Sequence, residues 1–298
     1  MGKFLIILNN CKSVVIVLIA ASLGLLIPEI GSHLQPLITP IVIFLVFSSI
    51  VDNGSDSSSF DTYWKLLVIF LLLSYGLIPL IGIVIINFIL SDGAKIGFGI
   101  MLAAPATAGS AIVWTRLSKG DVKFATIASL LSLFFAPLFT PQLLDYLITD
   151  SASVPTLSIL TDLAIILAGG ALMYVIFPKN SISAKKINFV TPSAIMLLIY
   201  ISVSSSNFSY ISLSWIILVI MSSFLLSILV FSLVFAIKYV VGISSSEAVS
   251  LYHVTALKNL GISVLISVSY TDTLVLTTVI LYYVMQQLIS AILSEILS

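Results

Sequence analysis

The chain has 298 residues, of which 60% are apolar and 8% are charged, against roughly 25% charged residues in an ordinary soluble domain. So little polar surface could not solvate a soluble globule, and lipid is expected to be the solvent for most of the chain. The twelve basic and twelve acidic residues cancel, which argues against nucleic-acid binding, and the single cysteine, Cys11, excludes an internal disulfide.

Apolar stretches of about 20 residues, the length that a helix needs to cross a bilayer, recur along the chain. A transmembrane β-barrel is disfavoured because runs such as residues 66–73 are apolar at every position rather than at alternate ones. The sequence therefore predicts an all-α polytopic membrane protein with about ten spans, at residues 13–28, 34–51, 65–90, 93–117, 122–147, 156–177, 189–204, 211–241, 245–269 and 273–297.

Basic residues in the predicted connections indicate the orientation, because lysine and arginine in short loops stay cytoplasmic. The side that holds both termini would collect Lys3, Lys12, Lys65, Lys119, Lys123, Lys179, Lys185, Lys186 and Lys238. The opposite side would keep only Lys95. We therefore expect an integral protein of the plasma membrane with both termini in the cytoplasm.

The predicted spans divide into two sets of five, residues 1–150 and 151–298, and an odd number per half places the halves in opposite orientations. The fourth span of each half is irregular: residues 105–110 read Pro-Ala-Thr-Ala-Gly-Ser and residues 255–261 read Thr-Ala-Leu-Lys-Asn-Leu-Gly. Interruptions at matched positions of two halves indicate a transporter's binding site. A simple proline kink or close packing at small residues is the alternative for each segment alone.

Residues 103–122 read Ala-Ala-Pro-Ala-Thr-Ala-Gly-Ser-Ala-Ile-Val-Trp-Thr-Arg-Leu-Ser-Lys-Gly-Asp-Val, and residues 136–141 read Ala-Pro-Leu-Phe-Thr-Pro. This stretch resembles the bile acid:sodium symporter superfamily, with its Pro-x-x-Thr-Ala-Ser-Asn segment, its Lys/Arg-Gly-Asp turn and its Ala-Pro-Leu-x-Thr-Pro motif. Residues 258–261, Lys-Asn-Leu-Gly, are similar to the family's Gln-Asn-Ser-Gly. The ten-span layout fits the same family.

The resemblance implies one transmembrane domain built from two inverted five-helix repeats. A panel would be formed by residues 13–51 and 156–204, and a core by residues 65–147 and 211–297. The fourth and ninth spans would be broken and would cross near the midplane of the membrane. The implied function is secondary active transport of a small organic anion between panel and core by alternating access, which suits the positive ends of half-helices.

The resemblance also places the ligands of two sodium sites. Three of these positions carry a side-chain oxygen, namely Ser110, Ser129 and Ser74, while the others are Gly109, Ala125, Val254 and Lys258. Sodium prefers several oxygens and a carboxylate, so a valine in place of the family's acid and a lysine in place of its glutamine argue against sodium as the driving ion. Proton coupling and ion-independent transport stay open, and no cofactor is expected.

Five residues are candidates for binding the substrate. Lys258 would be a charge inside the membrane, which marks a functional residue by default, although a lysine can also snorkel to the interface. His253 could titrate near neutral pH and couple a proton, or serve as a hydrogen-bonded packing residue. Thr107, Ser110 and Asn259 fall in the interruptions, where short polar side chains bond freed backbone groups or a ligand.

Other functions fit less well. An arsenite-efflux carrier of the same superfamily places a cysteine after the proline, where Ala106 stands here. A non-transporting receptor stays open, although no ligand-binding domain outside the bilayer is visible. No catalytic set occurs within the spans, so we expect no enzyme.

The Ser-rich loop with Asp52, Asp56 and Asp61 is interpreted as a solvated linker rather than a metal site. The expected partners are a small organic anion and the lipid bilayer. The oligomeric state cannot be predicted from the sequence.

Overall fold

The computed structural model describes residues 12–53, 60–90, 92–148, 155–177, 184–204, 212–270 and 272–297. These residues are almost wholly helical. Their α-helices are α1 Lys12–Leu26, α2 Pro28–His33, α3 Ile38–Asn53, α4 Phe60–Leu72, α5 Ile78–Asn87, α6 Asp92–Ala103, α7 Ala108–Leu117, α8 Val122–Ile148, α9 Thr156–Ile176, α10 Ala184–Ser204, α11 Leu213–Ile237, α12 Ser245–Ala256, α13 Leu260–Ser267 and α14 Thr273–Leu297. Lys3, Cys11, Asp56 and Lys179 lie outside the described residues.

Each of the ten predicted spans coincides with one or two of these helices. Five helical segments are long and apolar enough to cross a membrane, judged by length and composition: Thr62–Asn87, Val122–Ile148, Thr156–Ile176, Leu213–Gly242 and Thr273–Leu297. Three shorter helices are also apolar: Gln35–Val51, Gly93–Ala103 and Val190–Ser204. The chain is therefore an all-α membrane protein, as the sequence predicts.

Two of the long segments contain a turn of π-helix. Leu73–Leu77 joins α4 to α5 without a break, and Lys238–Gly242 extends α11. Gly242, at φ 76, ends the second segment in the left-handed region that glycine tolerates best. A π-turn widens a helix locally and often marks a functional position.

Small residues allow several helices to approach closely. α1 packs against α10, α3 packs against α9 and α10, and α6 packs against α14. A Cβ atom added to Gly170 of α9 would lie 2.6 Å from Val46 Cγ1, and one added to Gly97 of α6 would lie 2.5 Å from Thr278 Cβ. Such contacts replace the hydrophobic effect, which lipid removes, as the force that holds membrane helices together.

The fourth and ninth predicted spans are both interrupted. Residues 104–107 separate α6 from α7, and residues 257–259 separate α12 from α13. The interruptions are shorter than the sequence predicts, because the helix resumes directly after the extended residues Thr107 and Asn259. Ser110 therefore lies in the first turn of α7 and not in the break, which corrects the prediction.

A turn that contains Asp121 links α7 to α8, and Asp121 hydrogen-bonds to α8, α4 and α12 at one end of the molecule. Asp121 Oδ1 accepts hydrogen bonds from the N–H groups of Lys123 and Phe124 at 3.0 and 3.1 Å, and its Oδ2 accepts one from Tyr63 Oη of α4 at 2.6 Å. The Asp121 N–H donates to the carbonyl of Ser246 in α12 at 3.2 Å. The end of α7 and the start of α12 therefore lie together.

A second aspartate precedes α14 in the same way. Asp272 Oδ1 accepts a hydrogen bond from the Leu274 N–H at 2.9 Å. Asp272 and Leu274 also lie directly against Gly93, at the start of α6, where a Cβ atom would collide with both. The start of α14 and the start of α6 therefore meet, at the end of α6 that points away from its break.

Candidate functional site

The two breaks meet and pair with each other. Ala106 and Lys258 form an isolated antiparallel β-bridge. Two backbone hydrogen bonds close it, from the Thr107 N–H to the Leu257 carbonyl at 3.0 Å and from the Asn259 N–H to the Pro105 carbonyl at 2.9 Å. Each break thus satisfies backbone groups of the other, which hydrocarbon could not do.

Side chains from α8 and α14 satisfy the remaining groups of the bridge. Ser132 Oγ of α8 accepts a hydrogen bond from the Ala106 N–H at 2.9 Å. On the other strand, Gln286 of α14 accepts from the Lys258 N–H through Oε1 at 2.9 Å and donates to the Lys258 carbonyl through Nε2 at 3.1 Å. The two bridge residues are therefore fixed by different side chains, a hydroxyl in one case and a whole amide in the other.

The Lys258 side chain is 2% exposed, and its Nζ has no hydrogen-bond partner among the described residues. Nζ lies 5.9 Å from the centre of the Tyr75 ring, which belongs to the π-turn before α5. Tyr75 Oη in turn donates to the Ser132 carbonyl at 2.9 Å. A desolvated cation gains about 2 kcal/mol or more over an aromatic face when it lies within about 6 Å of the ring centre, so Nζ is at the outer limit of this contact.

Carboxylates are remote from this amine along the chain. In the helices that form and flank the breaks, α6 to α8 and α12 to α14, the acidic residues occur only in a first or last turn: Asp92, Asp145, Glu247 and Glu295. The site is thus a buried basic group at the pairing of the two breaks, with polar uncharged neighbours.

The N-terminus of α7 is open. Thr107 occupies the N-cap position with extended backbone, but its side chain makes no capping hydrogen bond. Gly109 is exposed, and a Cβ atom added to it would meet no atom of the described residues within 4 Å. The first N–H groups of a helix carry a partial positive charge and attract anions, so this end of α7 could receive one.

The N-terminus of α13 differs on both counts. The side chain of Asn259 caps it, because Oδ1 accepts a hydrogen bond from the Ile262 N–H at 3.2 Å. A Cβ atom added to Gly261 would lie 3.5 Å from Leu45 Cδ1, so α3 covers this side. The two half-helices therefore start at the same pairing but face different surroundings.

Ser110 is held by a second glutamine. Trp114 Nε1 donates to Gln287 Oε1 at 2.7 Å, and Gln287 Nε2 donates to Ser110 Oγ at 3.1 Å. An indole N–H can only donate, so it fixes the orientation of the amide. Because Ser110 Oγ accepts from Gln287, its own O–H proton remains available to donate.

The other two predicted ion-site serines also lie near the breaks. Ser129 Oγ donates to the Ala125 carbonyl at 2.8 Å and lies 3.5 Å from the Thr107 carbonyl oxygen. Ser74 is buried next to Tyr75, and its Oγ has no partner among the described residues. Val254 is buried as well. The ion-binding role of these positions stays a prediction.

His253 is turned away from the rest of the site. Its Nε2 lies 3.0 Å from Ser118 Oγ, at the end of α7 far from the break. The structure therefore brings Thr107, Lys258 and Asn259 together through their backbones and places Ser110 on the adjoining turn, whereas the His253 side chain points elsewhere.

Several residues of the site escaped the sequence analysis: Tyr75, Trp114, Ser132, Gln286 and Gln287. One signal was present, since two adjacent glutamines in an apolar span are costly to bury unless each finds partners. Tyr75 and Ser132 carry no comparable signal, because tyrosine and serine are common in membrane helices and their partners lie far away in sequence.

Comparison with known proteins now adds the family. A family model described as the SBF-like CPA transporter family matches residues 13–298, whereas no curated protein matches the chain. The match covers nearly the whole sequence, so the chain belongs to that family. The family is bile acid:sodium symporter-like, which confirms the resemblance found in residues 103–141.

Proposed function

We propose that this member of the SBF-like CPA transporter family is a secondary active transporter that carries a small organic anion by alternating access. One observation carries the proposal: Lys258, a buried lysine without a counter-ion among the described residues, lies where two interrupted helices pair. A positive charge in a membrane interior is costly unless it is used. A bound anion would supply the missing counter-ion.

An inverted-repeat architecture, residues 1–150 and 151–298, is part of the proposal. Three features support it, because each occurs in both halves. The first is a helix that is broken near its middle. The second is a side chain of the half's last helix that binds the bridge residue, Ser132 in one half and Gln286 in the other, and the third is an aspartate that precedes this last helix, Asp121 or Asp272. Each aspartate also contacts the beginning of the other half's broken helix.

The division into panel and core is supported by the packing of the helices. α1 and α3 pack against α10 and α9, which are the segments assigned to the panel, and the broken helices pack against α8 and α14 of the core. α3 also reaches the start of α13 at Gly261. A substrate between panel and core would therefore lie beside the breaks.

The proposed orientation places the Asp121 turn on the cytoplasmic side. Lys119 and Lys123 flank this turn, and Lys238 Nζ donates to Ser245 Oγ at 2.9 Å, next to Ser246, which contacts the turn. Lys95 lies at the start of α6, near the opposite end. Lys119, Lys123 and Lys238 thus lie at the same end, which agrees with the positive-inside rule if that end is cytoplasmic.

The groups around the open end of α7 suit an anion rather than a cation. They comprise the first N–H groups of α7 and the Ser110 hydroxyl on its first turn, while the Lys258 amine belongs to the break that pairs with this one. Gly109 is exposed and Gly261 is covered by α3, so the starts of the two half-helices differ in access among the described residues.

The test is counterflow in proteoliposomes. Taurocholate, 2-naphthalenesulfonate and benzenesulfonate serve as probes, because sulfonates stay charged and cannot leak through lipid as free acids. We expect at least one unlabelled anion inside the vesicles to drive uptake of the same labelled anion without added sodium. Absence of exchange for all three would contradict the anion-carrier function, and exchange that strictly requires sodium would contradict the prediction about the ion.

A further inference from the structure

The Lys258 amine is a buried basic group at the pairing of the breaks, and it has no hydrogen-bond partner among the residues that the structure describes. Resting on the proposed function, we infer that Lys258 carries a proton across the membrane together with the anion, so that the protein is an electroneutral proton–anion symporter. The proton on Lys258 would thus drive transport in place of the sodium ion that the resemblance implies at this position.

Within the described part of the chain, the amine of Lys258 has no carboxylate or hydrogen-bond partner that would keep it permanently charged. Nζ lies over the ring of Tyr75, and both polar atoms of the Gln286 amide are hydrogen-bonded to the Lys258 backbone. The other buried titratable side chains of α6 to α8 and α12 to α14 are Tyr252, Tyr282, Tyr283 and His253; Tyr282 meets Phe98 edge to face, and His253 faces Ser118. Asp92, Asp145, Glu247 and Glu295 lie in terminal turns.

Proton binding and anion binding at such a site must favour each other. An ammonium without a counter-ion in a desolvated site is destabilised, and an anion there is destabilised without a cation. Each therefore raises the affinity for the other, and the coupling is reciprocal. The free amine, a proton and the anion combine to give an ammonium–anion pair, and the pair separates into the same three species on the other side.

The charge balance follows from this cycle. The loaded carrier holds an ammonium and a monovalent anion, and the returning empty carrier holds a neutral amine. Neither form carries net charge through the membrane at this site. A pH gradient should therefore drive accumulation, whereas the membrane potential should not.

Two other couplings fit the geometry less well. A sodium ion beside Lys258 would meet a like charge whenever the lysine is protonated, and Val254 offers no ligand. His253 has one ring nitrogen engaged with Ser118 at the far end of α7. A proton on that ring would be separated from an anion at the start of α7.

The experiment uses the same proteoliposomes and the three sulfonates, with potassium and valinomycin to set the membrane potential. An acid-outside step of about one pH unit should concentrate a transported anion about tenfold inside, since both gradients contribute equally in free energy. Changing the potential should leave that accumulation unaltered. Addition of the anion to weakly buffered vesicles should also remove equal amounts of proton and anion from the medium.

Lys258→Arg separates charge from proton release, because a guanidinium stays protonated in proteins. We expect this variant to retain counterflow, to lose accumulation driven by the pH gradient, and to respond to the membrane potential. The proton-to-anion ratio of the wild-type protein tests the same inference without any variant, which covers the case in which Lys258→Arg does not fold.

The outcomes are distinct. Counterflow without accumulation in the pH gradient would overturn the proton inference and leave the anion-carrier function standing. Accumulation that persists in Lys258→Arg, or is abolished instead by His253→Gln, would place the proton elsewhere and overturn the inference as well. Absence of counterflow for all three probes would contradict the proposed function, and the inference would fall with it.

Discussion

The two helix breaks share one backbone design and differ in chemistry. At the first break the bridge residue is Ala106, its N–H is held by the Ser132 hydroxyl, and the following half-helix is uncapped and open at Gly109. At the second break the bridge residue is Lys258, and the amide of Gln286 holds both its N–H and its carbonyl. The half-helix that follows is capped by Asn259 and covered by α3.

The features that the two breaks share satisfy the backbone, and we assign the features that differ to substrate binding. Both breaks must satisfy the same freed backbone groups, because lipid offers no partners, and both do so with a side chain from the last helix of their half. What the chain varies is the side chain at the bridge and the access to the half-helix. An anion bound at the pairing would meet the open N-terminus from the first break and the basic group from the second.

The largest effect is expected from removing the support of the second break. Gln286→Leu leaves the Lys258 N–H and carbonyl buried without partners, and each unsatisfied group costs about 1–3 kcal/mol. We therefore expect a loss of about 2–6 kcal/mol in stability, measured as a lowered unfolding temperature in detergent. Gln142→Leu, on an exposed face of α8, is the matched control, and equal melting of the two variants would refute the assignment.

A smaller loss is expected at the first break, where the side chain holds one backbone group rather than two; its other partner, Tyr75 Oη, keeps its contact with the Ser132 carbonyl. Ser132→Ala leaves the Ala106 N–H unsatisfied and should cost about 1–3 kcal/mol. Ser158→Ala, on an exposed face of α9, makes the same atomic change without the same contact. Thermal unfolding of both variants against wild type decides the matter, since a drop no larger than the control's would show that Ser132 does not support the break.

The unequal access of the half-helices predicts unequal labelling. In a Cys11→Ser background, Gly109→Cys should react with a water-soluble thiosulfonate, because nothing covers that position. Gly261→Cys, which faces Leu45 of α3, should react at least about tenfold more slowly, a difference of about 1.4 kcal/mol. Equal rates, measured by mass spectrometry of protein in vesicles, would mean that α3 does not cover the second half-helix.

The smallest effect is expected at the N-cap positions of the two half-helices, Thr107 and Asn259. Asn259→Ala removes the hydrogen bond to the Ile262 N–H and should cost about 1 kcal/mol. Thr107→Ala should cost less, because the threonine side chain makes no capping bond. The two unfolding temperatures, compared in one detergent, should rank in that order, and a reversed order would show that α7 is the capped half-helix.

The sequence predicted the helices and the breaks well, for identifiable reasons. Apolar runs of membrane length are set by the bilayer and need no tertiary information. Pro105 and the polar run around Lys258 are local signals of a break, and both breaks were found within a few residues. The exception was Ser110, placed in the break although α7 resumes before it, because the length of an extended segment depends on its pairing partner.

The side-chain partners of the site could not be predicted in the same way. Gln286 reaches Lys258, and Gln287 reaches Ser110 and Trp114, across long separations in sequence. Periodicity and propensity carry no information about such contacts. The direction of the His253 side chain could not be predicted either, because it depends on the rotation of α12 about its axis, which decides whether His253 faces the break or Ser118.

The central claim, that Lys258 serves the transported anion, is tested most directly by counterflow of the labelled sulfonates in proteoliposomes that contain Lys258→Gln. Lys123→Gln, on an exposed position at the start of α8, is the matched control for loss of a positive charge. We predict that Lys123→Gln exchanges anion at the wild-type rate and that Lys258→Gln exchanges it at least about tenfold more slowly, since an anion would lose its buried counter-ion. Wild-type exchange by a correctly folded Lys258→Gln protein would contradict the account.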